Sequence, residues 1–191
     1  MILFLDFDGV LHPSSVYLKK GRPVLQGEGE LFMWAPQLMQ ALAPHPHVKI
    51  VLSTNWVRVR GFTRVKRALP EALRERVIGA TWHSAMKEDD FLSIPYASRR
   101  TTPAIWYDKA TRFQQIERYV SRTNVEQWIE IDDLHENIET WHAVHEKNFI
   151  LTNPQKGLSD IAALERLHEL LTAKCQKNQI LKVFTHNKVV P

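Results

Sequence analysis

A single cysteine, Cys175, stands among 191 residues. No disulfide can form within the chain, which excludes a disulfide-stapled scaffold and fits a reducing, cytoplasmic location. No apolar run reaches the length of a membrane span, so no membrane partner is expected. Residues 1–5 are apolar, but they lack a basic leader and run straight into Asp6, unlike a secretory signal. There is no internal repeat, no low-complexity segment and no His-Glu-x-x-His pattern. His135, His142 and His145 lie in a polar stretch and read as a solvated face rather than a zinc site. Cys175 lies far along the chain from every motif below, which makes it a poor nucleophile candidate.

What is present is an ordinary globular composition, 44% apolar and 24% charged, in a length that fits one domain over residues 1–191. The net charge of +4 is unevenly placed. Arg58, Arg60, Arg64, Lys66, Arg67, Arg74 and Arg76 are opposed locally only by Glu71 and Glu75. Such a cluster either guides a polyanion or is a solvated helix face.

The apolar runs 2–5, 48–52, 77–80, 128–131 and 149–151 read as strands. Between them, Leu31, Trp34, Leu38 and Leu42 keep helical spacing. So do Ile161, Leu164, Leu167 and Leu171, after a turn at Pro154 and Gly157 and with Ser159 as the expected cap. Strands alternating with helices predict an α/β fold, a parallel sheet covered on both faces. Right-handed crossovers then bring all the strand C-terminal ends to one edge, where such folds bind ligands.

Chemistry is concentrated at those ends. The first strand runs into Asp6-Phe7-Asp8-Gly9. Residues i and i+2 of an extended chain share a side, so the two carboxylates converge, and Gly9 permits a sharp exit. Such a pair can hold a hard cation, or divide into a nucleophile and a proton carrier. The second strand ends in Ser53-Thr54-Asn55-Trp56, where a short hydroxyl suits a phosphoryl oxygen. Ser53 is the first choice for that hydroxyl, and Thr54 is its rival if the strand runs one residue longer. Asp108 reads as an N-cap, with Phe113, Ile116 and Val120 continuing the helix. Lys109 then occupies a first turn, where a cation is disfavoured unless an anion is held nearby. The fourth strand ends in Asp132-Asp133.

Four such segments in this order resemble the motifs of the haloacid dehalogenase (HAD) superfamily of phosphohydrolases, over about residues 1–172. The resemblance implies a three-layer Rossmann-like fold and Mg²⁺ as cofactor. It implies Asp6 as nucleophile and Asp8 as general acid–base, with Ser53 and Lys109 binding the phosphoryl group. It places Mg²⁺ on Asp6, the Asp8 backbone carbonyl and Asp133, with Asp132 behind, paired with Lys109. Gly9, Thr54 and Asn55 are expected to touch the phosphorylated substrate. Glu136 and Asn137 fall where some relatives carry one more acidic residue, and a further ligand there stays open.

Residues 12–30 contain a β-hairpin pattern with its turn at Lys20-Gly21, which resembles the short flap of the superfamily and is too short for a large cap domain. Residues 82–108, with Arg99 and Arg100, suit a small lid or binding loop, and the basic tail 173–191 has no assignment. The Asn55-Trp56 pair and the turn at 154–158 are similar to the HAD domains of bacterial RNA-repair ("Swiss Army knife") proteins. That implies nucleic-acid ends as partners. Trp56 itself reads as a core aromatic, with base stacking as the alternative. The expectations are thus a Mg²⁺-dependent phosphomonoesterase acting through an aspartyl-phosphate, a polynucleotide end phosphatase, or a nucleic-acid-binding module with a vestigial site.

Overall fold

The structure is a computed structural model. It describes residues 1–83, 106–107, 109–133 and 147–186, the last stretch with side chains to residue 175. The first strand, β1 (Ile2–Leu5), is buried at every position, as a central strand of a doubly covered sheet must be. A hairpin follows, β2 (Val16–Lys19) and β3 (Arg22–Leu25), antiparallel and turning at Lys20-Gly21 as expected. The chain continues through α1 (Ala35–Leu42), β4 (Lys49–Leu52), the short helices α2 (Asn55–Arg60), α3 (Phe62–Ala68) and α4 (Glu71–Arg74), and β5 (Val77–Ala80). Then come α5 (Arg112–Thr123), β6 (Trp128–Asp132), β7 (Phe149–Leu151), a 3-10 turn at Gly157–Ser159 and α6 (Ile161–His186).

Among the described residues the main sheet has the order β5-β4-β1-β6-β7, with every pairing parallel. The alternation of β1 explains the layers. Ile2 and Phe4 point to one face and pack with Val51, Trp128 and Ile116 of α5. Leu3 and Leu5 point to the other, into the larger core that holds Leu38 and Leu42 of α1 and Leu167 and Leu171 of α6. The expected α/β sandwich and all five strands are present.

Three helix starts differ from the sequence expectation, that of α5, which Thr111 caps, among them. The first helix begins at Ala35, with Pro36 in its first turn, so Leu31 stands before it and Trp34 is its N-cap residue. In α6 it is Asp160, not Ser159, that caps: its Oδ1 accepts from the Ala162 N–H at 3.2 Å, while Ser159 Oγ donates to the Lys156 carbonyl at 2.6 Å. The face of α6 that packs is Ala163, Leu167, Leu170 and Leu171, whereas Ile161 is exposed. The same helix carries the previously unassigned tail from 173 as far as His186. The central part of the 82–108 insert, with Arg99, Arg100 and Asp108, lies outside the described residues, as do His135, Glu136, Asn137, His142 and His145. Among the described residues no helix is long and apolar enough to cross a membrane.

Candidate active site

Because β1 lies between β4 and β6, its C-terminal end delivers Asp6 and Asp8 to the middle of the sheet edge. The register is continued past the strands themselves. Asp6 N–H donates to the Ile131 carbonyl at 3.2 Å, and Ser53 N–H donates to the Leu5 carbonyl at 2.9 Å. Three neighbouring strand ends therefore place Asp6, Ser53 and the Asp132-Asp133 pair side by side.

Carboxylate oxygens of Asp6, Asp132 and Asp133 lie within 4.8 Å of one another. Asp6 and Asp132 are buried and Asp133 is half-buried. Gly9 makes the approach possible: at φ +68° its position leaves room for Asp133, and a Cβ there would lie 2.1 Å from Asp133 Oδ2. Thr152, at the end of β7, secures the same turn by donating its hydroxyl to the Gly9 carbonyl at 2.7 Å.

Arg112, at the start of α5, is the cation among these carboxylates. Its Nε donates to Asp132 Oδ2 at 3.0 Å, and its Nη2 stands 4.0 Å from Asp6 Oδ1. Burial opposes the charge on Arg112, but Asp6 and then Asp132 outweigh it and hold the guanidinium protonated beyond the usual arginine range. One cation does not neutralise the cluster. Burial, then the charge of Asp132, pushes the Asp6 carboxyl well above the usual carboxylate range against the pull of Arg112. Burial, then Asp132 and Asp8, pushes Asp133 up to about 6. Oxygen donors that converge and repel one another fit a hard divalent cation such as Mg²⁺.

Lys109 is exposed and stands ahead of α5 rather than inside it. The helix is capped by Thr111, which forms a reciprocal capping box with Gln114 at 3.2 and 2.9 Å. The residue in the first turn that faces the acidic cluster is thus Arg112, and Asp132 takes its ion pair from Arg112. The dipole argument applied to Lys109 holds with more force for a buried arginine at that same helix end.

Asp8 is held apart from the cluster. Its Oδ2 accepts from Trp56 Nε1 at 2.8 Å, and its Oδ1 lies 3.1 Å from His12 Nε2. The Phe32 N–H donates to His12 Nδ1 at 3.3 Å, so Nε2 carries the proton and donates to Asp8. His12 is fully buried, with the Phe32 ring edge-on at 5.2 Å. Phe32 itself sits at φ +63°, a strained position for a bulky residue, at the turn that presents its N–H to the imidazole.

The two candidate hydroxyls differ in engagement. Thr54 Oγ1 caps α2, accepting from the Trp56 N–H at 3.3 Å. Ser53 Oγ is buried and has no hydrogen-bond partner among the described residues. Asn55 follows at the exposed start of α2.

His12, Arg112 and Thr152 were not among the sequence-derived candidates. The spacing of His12 four residues beyond Asp8 was the available signal for the first, and the helix-start cation for the second. Nothing in the sequence singles out Thr152.

The sequence profile of the family described as "HAD domain in Swiss Army Knife RNA repair proteins" matches residues 2–163. No curated protein and no solved structure matches the chain.

Proposed function

The chain belongs to that family of HAD domains, and from this premise we propose that it is a Mg²⁺-dependent phosphomonoesterase acting through an aspartyl-phosphate. The observation that carries the reading is the division of the carboxylates into two environments. Asp6, Asp132 and Asp133 converge, while Asp8 is drawn away by two donors.

Asp6 supplies the oxygen that bonds to phosphorus as the ester P–O bond breaks. Asp8 gives its proton to the departing oxygen, then takes one from the water that attacks the phosphoryl group and releases Asp6. His12 and Trp56 leave two of the four lone-pair positions of Asp8 for that proton traffic and fix their direction. The orphan hydroxyl of Ser53 supports its role as a donor to the phosphoryl oxygens, and the capping duty of Thr54 argues against the rival. Arg112 holds Asp132 and sits close enough to Asp6 to restrain it. Lys109, exposed and three residues before Arg112, keeps its proposed part, with a phosphate contact made only when substrate is bound. Gly9 lies against Asp133, and Asn55 borders the space over Asp8. Mg²⁺ would be held by Asp6 and Asp133, with Asp132 behind and the Asp8 carbonyl completing the set. When bound it neutralises the repulsion between carboxylate and phosphate.

The polynucleotide reading is favoured by a specific feature. A cavity of about 880 Å³ between α2, α3 and the end of β5 has Arg58, Arg60, Arg64, Arg67, Trp82 and His83 in its lining. A cationic wall with aromatic surface suits a nucleic-acid backbone more than a lone small metabolite.

The test is a screen of end-phosphorylated oligonucleotides, mononucleotides and sugar phosphates with and without Mg²⁺, repeated with Asp6→Asn. The expected result is Mg²⁺-dependent phosphate release that disappears in the variant while its fold persists. Undiminished release by Asp6→Asn overturns the mechanism. Salt-sensitive RNA binding without any hydrolysis would indicate a vestigial site instead.

A further inference from the structure

A second, smaller cavity opens directly over Asp8. It measures about 180 Å³ and is lined by the hairpin on one side and by α2 on the other. The hairpin contributes Val16, Tyr17, Leu18 and Pro23. Val16 and Leu18 alternate onto one face of β2, and Pro23 is the cross-strand partner of Leu18, so these three make the apolar part of the hairpin side, with Tyr17 beside them. From α2 come Trp56, Val59 and Arg60, spaced i, i+3 and i+4 on one helix face, with Asn55 at the helix start.

Three observations say what this slot is for. First, it contains Asp8, the proton donor of the proposed reaction, so whatever fills it belongs to the leaving group. Second, its mouth is greasy without need: Leu18 is 49% exposed and Val59 62% exposed, a cost in water that a bound apolar surface would remove. Third, its polar residues are few, and besides Asp8 and the hairpin's Tyr17 they stand at the α2 side. The Arg60 guanidinium lies over the Trp56 ring at 5.9 Å, and its Nε is buried with no partner among the described residues. Asn55 offers an amide that can both donate and accept.

A volume of about 180 Å³ holds roughly six waters' worth of space, enough for one flat ring system and too little for a larger ligand. Apolar walls with an amide and a guanidinium at one edge suit an aromatic heterocycle that is stacked on its faces and hydrogen-bonded on its rim. A sugar or polyol would leave those apolar walls unmatched. Val59 and Arg60 also line the larger cationic cavity, so the slot and the arginine wall adjoin at these two residues.

We infer that this slot binds the nucleobase of the nucleotide whose phosphate is removed, with adjoining phosphates of a strand running onto the arginine wall. The inference rests on the phosphohydrolase reading and narrows its substrate. It makes Leu18 and Val59 determinants of specificity rather than of chemistry.

The experiment measures binding to Asp6→Asn protein by calorimetry, so turnover is not needed. Adenosine 3′- and 5′-monophosphate are compared with ribose 5-phosphate, in the Asp6→Asn background and in the same background with Leu18→Ser or Val59→Ser. At least one adenosine phosphate is expected to bind tenfold or more tightly than the base-free ester, with either serine substitution bringing that ratio close to one. Both positions are exposed, and unchanged melting temperatures will confirm that the variants fold. Equal affinity for base-bearing and base-free esters, or a preference that survives both substitutions, overturns the slot. An end-phosphorylated oligonucleotide forms a further arm: tighter, salt-sensitive binding identifies a strand end as the source of the base, and binding equal to the mononucleotide identifies a free nucleotide. Hydrolysis of ribose 5-phosphate by the unsubstituted protein tests the phosphatase reading separately, since it uses no base.

Discussion

Asp8 owes its orientation to two residues that take no direct part in the proposed proton transfers. Each of its oxygens receives one donor, from Trp56 and from His12, and His12 is locked in turn by the Phe32 N–H. A proton donor held this tightly matters most when the leaving oxygen is a poor one. His12→Ala should therefore slow hydrolysis of alkyl phosphates by about ten- to a hundredfold, and slow an aryl phosphate with a good leaving group far less. His12→Gln, whose amide can reach the same carboxylate, should restore part of the difference. A uniform loss on both ester types would mean that His12 only supports the fold. Asp6 and Asp8 stood out in the sequence because their strand end is the first of four segments that resemble the HAD motifs in order, whereas an alternate-carboxylate pair alone is common in surface turns. Arg112 was not, since nothing local separates a buried helix-start arginine from the nearby exposed Lys109. Trp56 was expected as a core aromatic, and it is one, but its indole N–H also serves Asp8.

The elements show how the site is supported from outside the motifs. The turn before α6 presses against the turn after β1: Leu158 N–H donates to the Val10 carbonyl at 3.0 Å. Gly157 sits in this contact at φ +47°, and a Cβ there would lie 2.2 Å from Trp34 and 2.5 Å from the Val10 carbonyl oxygen. Gly157→Ala should cost about 1–3 kcal/mol or more, from overpacking added to backbone strain. It should appear as a lower denaturant midpoint at unchanged slope. An unchanged midpoint would mean that this contact does not persist in solution. Strands and the hairpin were readable because each is a short apolar or alternating run bounded by turn residues. Helix starts were less so. Thr111 and Asp160 displaced Asp108 and Ser159 as the capping residues because caps are chosen by where the helix can begin against the sheet, which a one-residue shift of equally suitable side chains does not reveal.

At the scale of the whole molecule, the acidic edge is a source of instability that a cation should relieve. Asp133 has a folded pKa of about 6 against an ordinary value of 3.8, and Asp6 is raised in the same direction. A carboxyl raised on folding holds its proton more tightly in the folded state. Its contribution is therefore full below the unfolded value and is lost as pH rises from about 4 to about 6. Metal-free protein should lose melting temperature from this source across that window. Mg²⁺ binds the ionised carboxylates, so it should raise the melting temperature clearly at about pH 7.5 and little at about pH 4.5. Equal shifts at both pH values would count against the carboxylate cluster as the metal site. The α/β layering and the order of the motifs follow from the sequence by itself, because strand and helix periodicities and a carboxylate at a strand end are local properties. Which cation meets the carboxylates, what grips Asp8 and where a leaving group would rest were decided only by the tertiary structure. Each depends on residues far apart in the chain, such as Asp8 with Trp56, Gly9 with Thr152 and Leu18 with Val59, and only the parallel sheet and its flap bring them to one edge.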